Sequence, residues 1–219
     1  WREDSVLSTF NRQPIGTWLS APRRVCSLLD QVAYWYEETD GAFDPAIGAL
    51  IDVWSLRGEG RQPDADELAE AKARSGFHHF TIDSENCALS RAVDAAIDAG
   101  GFGKGAALDR VRHAVRDEPG SWLVDFGGQV AVSSNSGDGG WPIAVAHPEF
   151  RDISILELEL DEGSVATTGG SERDIVMNND VRLGHVIDPQ TGQTVSRRGS
   201  VTVWHQDAVV ALGGEGHVV

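Results

Sequence analysis

Residues 96–111 read AIDAGGFGKGAALDRV and place a lysine among closely spaced glycines, just before a predicted amphipathic helix. Such a turn can present unpaired backbone N–H groups, and the positive end of the helix dipole, to a bound anion. The P-loop pattern is absent, because Asp98 stands five residues before Gly103 and Gly105 follows Lys104. The residue types therefore indicate phosphate chemistry without matching that motif.

A dinucleotide site is the second phosphate pattern that this segment approaches. Gly101-x-Gly103-x-x-Ala106 fits the loose fingerprint. The fingerprint also needs an acidic residue at the end of a strand about twenty residues later, whereas Asp117 and Glu118 fall in a turn that ends a predicted helix. The segment taken alone leaves two readings open, a phosphate cradle and a tight strand-to-helix turn.

The charge balance limits what the protein can bind. The chain has 219 residues with 34 acidic and 18 basic side chains, so its net charge is −16. This balance disfavours nucleic acid, which is bound through clustered Lys and Arg. A phosphate ligand would need a cation or a local positive site, and Mg²⁺ is the cation most often paired with substrate phosphates.

The cysteines and the adjacent histidines have no metal-binding spacing. Cys26 lies in a predicted helix and Cys87 in a predicted hairpin, and both are predicted to be free thiols. The pair His78-His79 has no third ligand at a useful distance, so we expect it on a strand surface. No run of eighteen apolar residues is present to span a membrane.

Hydrophobic periodicity predicts three helices before the glycine segment and one after it. The first three lie within residues 20–41, 45–58 and 64–76, and the fourth carries Leu108, Val111, Ala114 and Val115 on one face. Residues 78–90 alternate as a hairpin around the turn DSEN. Residues 121–134 are predicted as one strand in which Gly127-Gly128 marks a bulge or a close backbone approach.

Further strands are predicted in the second half, within residues 153–160, 163–170, 184–195 and 200–204. Helices and strands do not alternate in a strict βαβ order. We therefore predict an α+β fold with mixed β-sheets packed against helices, in a single domain over residues 1–219.

Six segments in order resemble the ApbE-like family, the FAD:protein FMN transferases. The segments are DSVLSTFN, TDGAFDPAIGALIDVW, AIDAGGFGKGAALDRV, WLVDFGG, SVATTGGSER and HVIDPQTGQTV. The resemblance runs from residue 4 to about residue 211 and implies the family's T-fold-related architecture.

The resemblance implies an enzyme that uses Mg²⁺ to split FAD at its pyrophosphate. FMN would pass to a Thr or Ser hydroxyl of a partner flavoprotein with a Ser/Thr-Gly-Ala-Thr type motif, and AMP would leave. An FAD-binding module and an FAD pyrophosphatase that yields FMN and AMP are the alternatives. The family is usually exported, which implies a periplasmic or extracytoplasmic location and membrane association through an N-terminal anchor beyond this chain.

The resemblance also assigns site residues by matched position. His185 would be the base for the attacking hydroxyl, since an imidazole can exchange protons near neutral pH. Gly101, through its carbonyl, and Asp207 would bind the metal. The remaining matched residues would contact the cofactor: Ala42, Phe43, Asp44, Asp98, Lys104, Thr168 beside Thr167, and Ile187. Asp188 and Gly192 are expected to be scaffold.

The chain departs from the family pattern after the strand SVTVW. The family continues with Asp-Ala-Leu-x-Thr, whose Asp and Thr bind magnesium. The gapless alignment, which keeps Ala208 and the apolar run in register and is the better supported, lacks this motif and predicts a missing segment between Ala211 and Leu212. The other alignment equates Asp207 with the aspartate and puts Ala211 at the threonine position. The resemblance finds no counterpart for the family's first strand or for its last helix and strand, and Gln129 replaces a common aspartate.

Overall fold

The computed structural model describes residues 2–134, 139–169, 174–177, 182–195, 199–213 and 217–218. The chain divides into two compact units. The first comprises Trp1–Ala99 and Ile175–Ser196, and the second comprises Gly100–Asp174 and Arg197–Val219. The prediction of one domain over residues 1–219 stays a prediction.

Within the described residues, the first unit contains four α-helices. The sequence explains where two of them form. They are α1 (Val6–Asn11), α2 (Arg23–Glu38), α3 (Gly48–Val53) and α4 (Ala65–Ala73). Helix α2 buries Cys26, Leu29 and Val32, which recur at the spacing of one helical face. Helix α4 begins with a capping box, in which Asp64 accepts backbone N–H groups and Glu67 accepts the N–H of Asp64.

The strands of the first unit form small antiparallel sheets. They are β1 (Leu19–Ser20), β2 (Phe80–Asp83), β3 (Ala88–Arg91), β9 (Ile175–Val176), β10 (Arg182–Leu183), β11 (Val186–Ile187) and β12 (Thr194–Val195). The order in the largest of these sheets is β1-β3-β2, and β9 pairs with β10 and β11 with β12.

A buried cluster joins the two chain segments of the first unit. Leu50 of α3 and Trp54, which follows that helix, pack in one core with Leu183 and Ile187, which are more than a hundred residues later in the sequence. The later segment therefore completes a core that the earlier segment begins.

The second unit is built on a five-stranded antiparallel sheet with the order β14-β13-β8-β5-β4. Its strands are β4 (Trp122–Phe126), β5 (Gln129–Ser133), β8 (Glu162–Gly169), β13 (Ser200–His205) and β14 (His217–Val218). A separate hairpin pairs β6 (Trp141–Ala146) with β7 (Ser154–Leu160). Its helices are α5 (Gly103–Val115) and α6 (Ala208–Gly213), and Leu108, Ala131 and Ala208 form a buried cluster.

The α+β fold class is confirmed, and so are most of the predicted helices and strands. One prediction was wrong: residues 121–134 form two strands rather than one. Gly127 and Gly128 have φ of 64° and 83°, so they make the two-residue turn of the β4–β5 hairpin.

A second prediction failed on the face of α5. Leu108 is buried, as expected, but Val111 is 37% exposed and Ala114 is also exposed. The apolar stripe is therefore shorter than the helix.

Candidate functional site

The predicted site residues fall into both units. Ala42, Phe43, Asp44, Asp98, His185 and Ile187 belong to the first unit, and Gly101, Lys104, Thr168 and Asp207 belong to the second.

Asp44 organises the loop that precedes α3. One carboxylate oxygen accepts the backbone N–H of Ala46 at 2.7 Å, and the backbone of Phe77 is a second donor. Burial raises the pKa of Asp44, and these backbone donors counteract part of that rise. Beside it, Phe43 is half-buried and Ala42 is exposed.

Asp98 lies against this loop. Its N–H donates to the carbonyl of Pro45 at 2.7 Å, which brings the matched segments around residues 44 and 98 together. Its carboxylate is ion-paired with Arg57, with Nη2 and Oδ2 2.5 Å apart, and Arg57 also contacts Asp52 at 2.7 Å. Asp98 is 8% exposed, so this buried carboxylate has a cationic partner.

The segment that contains His185 packs on α3. Trp54 donates its indole N–H to the carbonyl of Gly192 at 2.8 Å, and Ile187 is 5% exposed within the shared core. His185 is half-buried and immediately precedes β11. The first unit thus assembles the three matched segments that supply its predicted site residues.

Asp188 holds the turn that follows β11. Its Oδ1 accepts the N–H groups of Gln190 at 2.8 Å and Thr191 at 3.2 Å. These donors, with the N–H of Thr191 foremost, lower the pKa of Asp188. The expected scaffold role of Asp188 agrees with these contacts.

In the glycine segment of the second unit, Gly105 allows close packing against α6. A Cβ at Gly105 would lie 2.4 Å from the carbonyl oxygen of Ala208 and 2.6 Å from Cα of Val209. Only glycine therefore allows the first turn of α5 to lie directly against the start of α6. Of the two readings left open, the tight packing turn accounts for Gly105.

Lys104 and Gly101 stand at the beginning of α5. The ammonium of Lys104 donates to the carbonyl of Gly127 at 3.1 Å, in the β4–β5 turn. Gly101 is exposed and ends a short 3₁₀ turn over Ala99–Gly101. The lysine therefore ties α5 to a sheet turn, and the Gly101 backbone is open to solvent.

The segment that carries Asp207 is fixed by residues that sequence reasoning missed. Asp109 of α5 accepts the N–H of Ala208 at 2.8 Å and of Val209 at 3.0 Å. Gln129 of β5 donates its amide N–H to the carbonyl of Ala208 at 2.7 Å. Together, these bonds anchor the peptide groups next to Asp207, and Arg112 adds a bond to the carbonyl of Gln206.

Gln129 has a physical reason to replace the aspartate that is common in the family. It is fully buried, and its amide can donate to Ala208 and, at 3.3 Å, to the hydroxyl of Ser164. An ionised carboxylate could donate to neither. Within the described chain, the Oε1 atom of Gln129 has no hydrogen-bond partner.

Thr167 and Thr168 lie on β8, opposite Thr202 and Val201 of β13. Thr167 shares a hydrogen bond with Thr202, with their hydroxyl oxygens 2.9 Å apart, and Thr168 is exposed. Residues 170–173 of the same matched segment lie outside the described residues.

Asp207 stands between β13 and α6, where the resemblance places the metal aspartate, and α6 continues through the junction of Ala211 and Leu212. Its backbone N–H donates to Nδ1 of His205 at 2.8 Å. Asp207 is exposed, and no hydrogen bond or ion pair of its carboxylate is recorded among the described residues.

The two residues of the second unit that the resemblance assigns to the metal carry the type of donor that Mg²⁺ prefers. The Asp207 carboxylate and the Gly101 carbonyl are hard oxygen donors, whereas Ala211 has no side-chain oxygen. Mg²⁺ commonly binds through one or two carboxylates together with waters and substrate phosphates. No group of three or more His, Cys, Asp or Glu that could hold a metal occurs among the described residues.

The described part of the chain contains no helix that is long and apolar enough to cross a membrane.

Comparison with protein families and curated sequences identifies related proteins. The model of the ApbE family matches residues 1–213. FAD:protein FMN transferases from Klebsiella pneumoniae and Vibrio cholerae are 30% and 28% identical, each over 97% of this chain. The chain spans 63% and 65% of their respective lengths, less than two thirds.

Solved structures show the same fold. The ApbE protein from Thermotoga maritima superposes with a TM-score of 0.89 at 34% identity, covering 97% of this chain and 70% of that one. The apo flavinyl transferase ApbE from Pseudomonas stutzeri has a TM-score of 0.84 at 29% identity, with coverages of 97% and 67%.

Proposed function

Because this chain belongs to the ApbE family, we propose that it transfers FMN from FAD to a hydroxyl group of a partner flavoprotein. One observation carries the proposal: proteins named FAD:protein FMN transferase are similar to 97% of this chain. The acceptor would carry a Ser/Thr-Gly-Ala-Thr type motif, and the hydroxyl of that motif would be the nucleophile.

The proposed reaction replaces the phosphoanhydride bond of FAD with a phosphoester bond to the acceptor. The hydroxyl oxygen of the acceptor forms a bond to the FMN phosphorus, and the bond from that phosphorus to the bridging pyrophosphate oxygen breaks. AMP leaves with the bridging oxygen, and His185 takes the hydroxyl proton as general base. A bound Mg²⁺ would supply charge stabilisation for the pyrophosphate, held by Asp207 and the Gly101 carbonyl.

The other matched residues would bind FAD. Phe43 and Ala42 would supply apolar contacts, and Thr168 would supply a hydroxyl. Ile187 is 5% exposed in the core, so its side chain has little surface to offer a cofactor. Lys104 would bring a positive charge toward the phosphates of this otherwise acidic chain. Asp98 would present a carboxylate whose orientation the ion pair with Arg57 fixes.

A covalent-labelling assay tests the proposal. The full-length gene product is mixed with FAD, Mg²⁺ and an acceptor flavoprotein, and a denaturing gel is read for flavin fluorescence. We expect a fluorescent acceptor band that disappears with EDTA and with a Thr→Ala change in the acceptor motif. No band, under conditions in which a proven transferase labels the same acceptor, would refute the proposal.

The second candidate is an FAD-binding module or a pyrophosphatase with a weakened metal site. The observation that favours it is Ala211, which is buried and has no oxygen where the resemblance expects threonine. Release of AMP and free FMN without an acceptor would identify the pyrophosphatase. FAD binding with neither product would identify the module.

We also propose that the protein works outside the inner membrane, as the resemblance implies. Fractionation of cells that express the complete gene from its own start codon tests this location. Recovery of the protein with the soluble cytoplasmic fraction would contradict it.

A further inference from the structure

Two buried cysteines of the first unit stand next to the same turn. Cys26 lies in the first turns of α2, and Cys87 follows the turn between β2 and β3. They are 2% and 7% exposed, respectively, and both are free thiols in this structure. Neither has a part in the proposed transfer reaction.

The sulfur atoms approach consecutive carbonyl groups of that turn. Sγ of Cys26 is 4.0 Å from the carbonyl oxygen of Asp83, and Sγ of Cys87 is 3.9 Å from that of Ser84. The carbonyl of Cys87 also accepts the N–H of Ala21 at 2.8 Å, just before α2 begins. Backbone and side-chain contacts therefore both hold the two cysteines side by side.

The neighbouring thiol also changes the acidity of Cys26. A side-chain hydrogen bond with Cys87, assisted by burial, raises the pKa of Cys26 to about 11. Cys26 therefore remains protonated near neutral pH. Cys87 is the more exposed of the two, so it is the thiol that an external reagent reaches first.

We propose that Cys26 and Cys87 form a redox-modification site, whose reagents are small or protein disulfides and whose product is an intramolecular disulfide between α2 and the β2–β3 hairpin. A disulfide needs Cα atoms about 4.4–6.8 Å apart, and the proposal rests on the two sulfurs lying against carbonyls of adjacent residues, Asp83 and Ser84. The site is independent of the proposed flavin transfer.

The chemistry balances with glutathione disulfide as the oxidant. The Cys87 thiolate attacks one glutathione sulfur, which forms a mixed disulfide and releases one glutathione. Cys26 then attacks the Cys87 sulfur, releases the second glutathione, and forms the Cys26–Cys87 bond. The two protein thiols lose two protons and two electrons, and the electrons reduce glutathione disulfide to two thiols.

The bond would close the chain between residues 26 and 87. That stretch contains Ala42, Phe43 and Asp44, the predicted cofactor wall. A cross-link that closes a loop of this length restricts the unfolded chain strongly. The oxidised protein would therefore hold this wall in a more stable unit than the reduced protein does.

The test compares the full chain in two redox states. Protein is incubated with glutathione disulfide, either folded or during refolding from denaturant, then alkylated with N-ethylmaleimide and analysed by intact mass and peptide mapping. We expect loss of two hydrogens, no alkylation, and a linked peptide pair that contains both cysteines. The melting temperature should rise by about 5–15 °C relative to reduced protein.

Cys26→Ser and Cys87→Ser are the matched controls. Each should keep one thiol that is alkylated after denaturation, and its melting temperature should be the same with oxidised glutathione and with a reductant. A linked pair after refolding alone supports the site, because burial then closes it to the reagent. Two alkylated thiols in both arms, or disulfides between chains in place of the internal bond, would overturn the proposal.

Discussion

His185 separates catalysis from binding among the predicted residues. If it is the general base, His185→Ala should lower the rate of FMN transfer by about 10²–10⁴-fold and change FAD affinity by only a few-fold. Fluorescence quenching measures the affinity, and covalent labelling over time measures the rate.

The matched control for His185 is His113→Ala, which removes an exposed histidine from the last turn of α5. It should leave both quantities unchanged. Near-normal transfer by His185→Ala would place the base elsewhere, and a joint loss of FAD binding would make His185 a structural residue.

The ion pair between Arg57 and Asp98 is expected to contribute more to the free energy of unfolding than the exposed ion pair between Arg61 and Glu67. Arg57→Ala leaves a carboxylate whose side chain is only 10% exposed without its guanidinium partner, which should cost about 1–3 kcal/mol in the free energy of unfolding. Arg61→Ala removes an ion pair with Glu67 whose partners are 43% and 41% exposed, so its cost should stay below about 1 kcal/mol. Urea unfolding measures both, and equal losses would contradict this ranking.

His79 should make stability depend on pH in the weakly acidic range. Burial, and then the neighbouring His78, lower the pKa of His79 below 6.5. The unfolded chain therefore takes up a proton first as pH falls. The stability that His79 contributes is complete above pH 6.5 and is lost as pH falls through the lowered pKa.

His79→Gln provides the comparison, because glutamine does not titrate and can still donate a hydrogen bond. Melting temperatures from pH 7.5 to 5 should fall less steeply for this variant than for the wild type. Parallel curves would show that other groups control the acid response.

Among the elements, the contact between α5 and α6 depends on Gly105. Gly105→Ala forces a methyl group into the backbone of Ala208, which should cost about 3 kcal/mol despite the better helix propensity of alanine. Gly128→Ala has no atom within 4 Å and is strained only by its φ of 83°, so about 1–2 kcal/mol is expected.

Urea unfolding of both glycine variants measures these costs. The strain at Gly105 falls on the segment beside Asp207. Gly105→Ala should therefore also raise the Mg²⁺ concentration that half-maximal transfer requires, and Gly128→Ala should not. A neutral Gly105→Ala variant would mean that α6 moves away at little cost.

Local sequence patterns predicted the helices and strands better than they predicted which residues of different elements contact each other. The sequence pattern within residues 153–160 identified β7, and the helical periodicity within residues 20–41 identified α2, because these signals lie within one element. Gly127-Gly128 misled the prediction, because positive φ at both glycines suits a hairpin turn as well as a bulge.

The contacts that position the site could not be predicted from spacing. Arg57 meets Asp98 across 41 residues, and Asp109 meets Ala208 across 99. A single sequence shows that these side chains can pair but not which partners the fold brings together. Family resemblance located the segments themselves and singled out Gln129, whereas Arg57, Asp109 and the hydrogen bonds of Gln129 emerged only with the structure.

For the whole molecule, the single domain predicted from the sequence implies one cooperative transition. Each unit contains two separated stretches of chain. When one unit unfolds, it therefore releases the chain ends at which the stretches of the other unit begin and end. We expect tryptophan fluorescence and far-UV circular dichroism to give the same midpoint on heating. Two resolved transitions would show that the units unfold as separate domains.

The interleaved chain path has a consequence during synthesis. A nascent chain that ends near Ala99 lacks Leu183 and Ile187, which complete the core around Leu50 and Trp54. The core of the first unit therefore stays incomplete while about eighty further residues are translated. Translation proceeds at roughly 5–20 residues per second. During those seconds a chaperone could bind the unfinished core. The first unit is completed only after Leu183 and Ile187 are translated, although most of its residues come earlier in the chain.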